Sequence, residues 1–70
     1  MDDLEKLVLV MLTKTPAVSA EDLAKDSTRL SDLSALCALR NLQKIGYAEG
    51  VHRYQITDHG RRYVARFLAA

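Results

Sequence analysis

Leu4, Leu7, Val8, Met11 and Leu12 recur at three- and four-residue spacings, and Leu9 and Val10 broaden the stripe they form. That period predicts an amphipathic helix that starts near Asp2 or Asp3, whose carboxylates suit the positive end of a helix, and closes by Thr15 because Pro16 follows. So wide an apolar band calls for cover on more than one side, from other helices or from a second copy of the chain. Ala17 and Val18 then fit a short extended segment. Ser19 stands three residues before Asp22, the spacing of a capping box with Asp in place of the usual Glu, and Leu23 and Ala24 follow as the inward face of a short second helix.

From Lys25 to Arg29 the chain carries Asp, Ser and Thr, which compete for backbone hydrogen bonds and favour a turn. Ser27 or Ser31 can cap what comes next. A third helix is expected from about Ser31 to Ile45, with Leu33, Leu36, Leu39 and Leu42 every three residues and Ala35 and Ala38 between them as one wide buried face. Gly46, with Lys44 in the turn before it, is a C-terminal stop signal. Tyr47 to Glu49 and Arg53 to Ile56 alternate as two short strands around Gly50, Val51 and His52, a hairpin that must pack on helices to survive. Thr57 caps a last helix expected to turn Tyr63, Val64, Phe67 and Leu68 inward and Arg61, Arg62 and Arg66 outward.

Composition fits one small folded unit. The chain has 70 residues, of which 49% are hydrophobic, and a chain this short buries only about 60% of its unfolded surface, so nearly every apolar side chain must contribute. No linker, repeat or low-complexity run divides it, so residues 1–70 are expected to form one domain. The apolar run Leu7 to Leu12 is too short for a membrane span, and the acidic residues before it are unlike the basic start of a signal peptide. Cys37 is the single cysteine, which excludes an internal disulfide and fits a reducing compartment such as the cytoplasm. The net charge of +1 is distributed unevenly: residues 1–35 hold seven acidic and four basic side chains, and residues 36–70 hold two acidic and six basic. A domain polarised in this way can present its basic end to phosphate, or simply carry two solvated faces of opposite sign.

The order of helix, glycine, hairpin and capped helix, carried by LRNLQKIGYAEG followed by YQITDHG, resembles the winged helix-turn-helix of MarR- and PadR-type transcriptional regulators from about Ala20 to Gly60. The resemblance implies a mostly α fold with a three-helix core, a short two- or three-stranded wing and a C-terminal helix. It also implies a DNA-binding dimer that sets its third helix in the major groove and its wing against the flanking backbone. An α-helix fits that groove, where side chains meet distinct donor and acceptor patterns, and basic wing residues meet phosphate. On that basis the expected contacts with double-stranded DNA are Ser34, Arg40, Asn41 and Lys44 of the third helix and His52 and Arg53 of the wing. Arg40 and Asn41 have side chains suited to bidentate base recognition. Cys37 stands near where such a helix often carries a polar reader.

Catalysis is not expected. One cysteine and two histidines without an orienting motif do not make a nucleophilic site, and Cys37, His52, Asp58 and His59 lack the paired spacing of zinc ligands. Gly46, Gly50 and Gly60 are too scattered to cradle a phosphate, and no cofactor is implied. Tyr47, Tyr54 and Tyr63 fit anchors between wing and last helix better than a platform for stacked bases. An exposed Cys37 thiol on a DNA-reading face would be open to oxidation. Two functions therefore compete: a small DNA-binding regulator, homodimeric through helix one, and a protein-interaction module that keeps the fold without reading DNA.

Overall fold

The computed structural model describes residues 1–68. Four helices and one hairpin follow in order: α1 Asp3–Leu12, α2 Ala20–Asp26, α3 Asp32–Lys44, β1 Ala48–Gly50, β2 Tyr54–Ile56 and α4 Asp58–Tyr63, which runs on into a π-helical turn, Val64–Leu68. The domain is thus mostly helical with a small antiparallel hairpin. No helix among the described residues is long and apolar enough to cross a membrane.

Each helix begins where a side chain can take up its free backbone amides. Asp2 accepts from the Glu5 amide at 2.8 Å, and Thr57 accepts from the Gly60 amide at 3.0 Å. Ser19 and Asp22 close a reciprocal capping box on α2, as their spacing predicted. Ser31, rather than Ser27, caps α3, and it does so in a second box with Ser34. The end of α3 is equally well defined. Gly46 takes φ +83°, the Gly46 amide donates to Gln43 O at 3.1 Å and the Tyr47 amide to Leu42 O at 2.9 Å, the paired bonds of a Schellman motif.

The core joins α1, α2, α3 and the hairpin. Val8, Leu9, Leu12, Leu23, Leu39 and Leu42 are its largest fully buried side chains, and no polar or charged side chain among the described residues is buried with them. β1 pairs β2 with Ala48 opposite Ile56 and Gly50 opposite Tyr54. The extended segment expected at Ala17 and Val18 contracts to one bridge, in which Val18 and Tyr54 exchange two backbone hydrogen bonds of 2.9 and 2.7 Å. Gly60 is buried where α4 crosses the hairpin, and a side chain there would run into the Tyr47 carbonyl and Ile56.

α1 ends at Leu12, inside the limit that Pro16 sets at Thr15. The Thr13 hydroxyl bonds to Val10 O at 2.6 Å in the turn that follows, and two expectations from the pattern are corrected. Leu33 is 71% exposed. At 3.6 residues per turn a three-residue step falls about 60° short of a full turn, so Leu33 and Leu42 lie about 180° apart around the helix, and the buried face is Ala35, Ala38, Leu39 and Leu42. Phe67, expected inside, is 63% exposed. The π turn is wider than an α turn, so four residues past Tyr63 the chain has not completed a turn, and the ring stops on the side away from buried Val64.

Candidate nucleic-acid interface

The buried arc of α3 fixes what the helix shows to solvent. Leu33, Cys37, Arg40 and Lys44 follow at four-, three- and four-residue steps and are all exposed, one stripe along the outer surface. Ser34 and Asn41 lie on the flank toward α1, and Leu36 and Gln43 on the flank toward α2 and the hairpin. On this second flank Leu36, Arg40 and Gln43 join Ser19 and Glu21 at the start of α2 and His52 of the hairpin around an open cleft of about 660 Å³. Gln43 Nε2 donates to Gly50 O at 3.1 Å, pinning the hairpin to the helix.

The six expected contact residues therefore divide. Arg40 and His52 face one cleft, and Lys44 is exposed in the last turn of α3. The other three side chains have partners inside the chain. Ser34 Oγ accepts from the Ser31 amide at 2.8 Å and donates to Ser31 O at 3.2 Å, so its hydroxyl belongs to the cap. Asn41 Nδ2 donates to Glu5 Oε2 at 2.8 Å. Arg53 folds back over the start of α2, donating to Ala17 O at 3.0 Å and lying 3.8 Å from the Asp22 carboxylate.

Sequence reasoning missed Gln43, whose position three residues after Arg40 was enough to place it on the hairpin side. It also missed the acidic rim that Glu21 gives the cleft and the exposure of Val51, 76% at the hairpin tip. Beside that rim Asp22 is held below the ordinary aspartate range, first by the backbone hydrogen bond at Ser19, then by the Ser19 hydroxyl, with the Arg53 and Lys25 charges adding to the effect. Its charge therefore persists opposite Arg53, and the cationic character of the hairpin base is partly offset.

The remaining positive charge of residues 36–70 lies elsewhere. Arg61, Arg62 and Arg66 are exposed on α4 and its π turn, beside a run of rings: Tyr47 meets His59 at 4.7 Å and Tyr63 at 4.8 Å, and Tyr63 meets Phe67 at 5.0 Å between centroids. Tyr54 is buried beneath the hairpin. Tyr47 and Tyr63 thus tie the start of the hairpin to α4, Tyr54 bridges instead to Val18, and Phe67 is the ring left open. Cys37 is an exposed free thiol, and among the described residues no three His, Cys, Asp or Glu side chains gather as a metal ion would need. Comparison with protein-family models, curated proteins and solved structures finds no match for this chain.

Proposed function

We propose that this chain is a small winged-helix protein that binds double-stranded DNA and acts in transcriptional regulation without catalysis. The observation that supports the reading is the uncovered outer face of α3, where Arg40 and Lys44 stand in one exposed stripe and Arg40 shares an open cleft with His52 of the hairpin. An exposed helix beside a hairpin is the arrangement that enters a major groove while touching its backbone. Among the described residues Arg40, Lys44 and His52 are the ones on this face without a partner, so few phosphates are neutralised, and affinity falls correspondingly gently with salt.

Titration of mixed-sequence duplex at low and physiological salt tests the proposal. Binding at low salt with a shallow salt slope is expected, and its absence at low salt overturns the reading. Arg40→Ala should lower base preference, whereas Lys44→Ala should weaken all duplexes alike.

A second reading has its own observation. Leu33 and Val51 are 71% and 76% exposed on the same side of the molecule as the stripe and the cleft, and apolar side chains there suit a protein partner better than phosphate. Recovery of one stoichiometric protein partner that persists in high salt, together with no binding to duplex, would favour it.

A further inference from the structure

A groove of about 360 Å³ runs between the start of α1 and the α1-facing flank of α3. Its floor is apolar, formed by Leu4, Leu33, Cys37 and Ala38, and its rim carries the carboxylates of Asp2 and Glu5. Each carboxylate uses one oxygen inside the chain, Asp2 Oδ1 for the Glu5 amide and Glu5 Oε2 for Asn41, which leaves the other oxygen to an incoming donor.

At the other end of the charge distribution stands a shape of the opposite kind. Phe67 projects with 63% of its surface exposed, Arg66 lies over its ring at 5.6 Å, and Arg62 lines the same surface. The ion pair found among the described residues is Arg53 with Asp22, so within that set Arg62 and Arg66 have no carboxylate partner. An aromatic ring with flanking guanidinium groups matches an apolar groove with carboxylates at its edge, in both shape and sign. One chain carries both parts.

We propose that the Phe67 ring docks in the α1–α3 groove of a second copy of this chain, with Arg62 and Arg66 meeting Asp2 and Glu5 of that copy. The contact is heterologous, so it closes into a pair if both grooves fill at once and grows into a short chain if they do not. It is small, and interfaces below about 1,200 Å² are weak, so association belongs at concentrations approaching about 1 mM.

Sedimentation equilibrium at about 0.01 M and about 1 M salt, where the Debye length is about 30 Å and about 3 Å, tests it. The wild-type mass should rise above one chain at low salt and return to one chain at high salt. Phe67→Ala removes the ring, and Cys37→Arg, at an exposed position, fills the groove with a like charge. Each variant alone should associate at least about tenfold more weakly, with an unchanged melting temperature because both positions are exposed. Mixed together they should associate again, since each retains the half the other lacks. A wild-type monomer at low salt, self-association of either variant at the wild-type level, or a mixture that stays monomeric would each overturn the proposal, and an association indifferent to salt would remove its electrostatic basis.

Discussion

Asn41 reaches across 36 positions of sequence to donate a 2.8 Å hydrogen bond to Glu5, joining the late turns of α3 to the first turn of α1. The amide best suited to reading adenine is thereby occupied before any DNA arrives. Asn41→Ala should change stability by no more than about 1 kcal/mol, the net worth of one exposed hydrogen bond, and leave duplex affinity nearly unchanged. Glu5→Ala, which frees the amide and removes a negative charge, should raise that affinity. Chemical denaturation and fluorescence anisotropy check both, and loss of base discrimination by about 1–3 kcal/mol in Asn41→Ala would show instead that the residue reads a base.

Leu33 and Leu39 belong to the same three-residue series but occupy different environments, 71% exposed and fully buried. Leu39→Ala should cost about 2–5 kcal/mol, as cavity-forming substitutions in a packed core do. Leu33→Ala should stay within about 0.5 kcal/mol. Denaturant midpoints for the two variants measure the difference directly.

Gly60 packs where a methyl group has no room, against the Tyr47 carbonyl and Ile56. Gly60→Ala gains helix propensity, but backbone cannot yield as a flexible side chain can, and the net result should be a destabilisation of about 1–3 kcal/mol. Thermal melts should show it, with a fall in the protection of the hairpin amides from exchange.

Acidification should loosen the start of α2. A carboxyl whose folded-state pKa is depressed contributes stability that is present above its unfolded pKa and lost as the pH falls through the folded one. For Asp22, held down chiefly by the Ser19 backbone amide, that loss begins below about pH 4. Ser19→Ala should cost about 1 kcal/mol at neutral pH and flatten the acid limb of the stability curve, because the hydroxyl and the carboxylate act in one box. An acid limb unchanged in Ser19→Ala would separate the two groups.

Local rules carried much of this fold. The caps at Asp2, Ser19, Ser31 and Thr57, the stop at Gly46 and the close approach at Gly60 each depend on residues within a few positions, and the sequence displays them openly. The faces of α3 and of the chain after α4 were harder, because a run of leucines at three-residue spacing names a period without naming its phase, and no residue type announces a π turn. The site was less legible still. Arg40 and His52 do face one cleft, but the partners that occupy Asn41 and Arg53, Glu5 and Ala17, each lie 36 residues away in sequence. Only tertiary packing brings them together.

The π turn at Val64–Leu68 has a consequence for how this chain can change length. Such a turn holds one residue more than α-helical closure requires, so it is a place where a residue can be deleted without disturbing the helix before it. Loss of Ala65 would restore the tighter winding and leave the phenylalanine two α-helical steps, about 200°, past Val64, so its ring would stay on the outer side. A single-codon deletion, with no change in the identity of any remaining side chain, would then shorten the chain by one residue while keeping its outward aromatic surface in place.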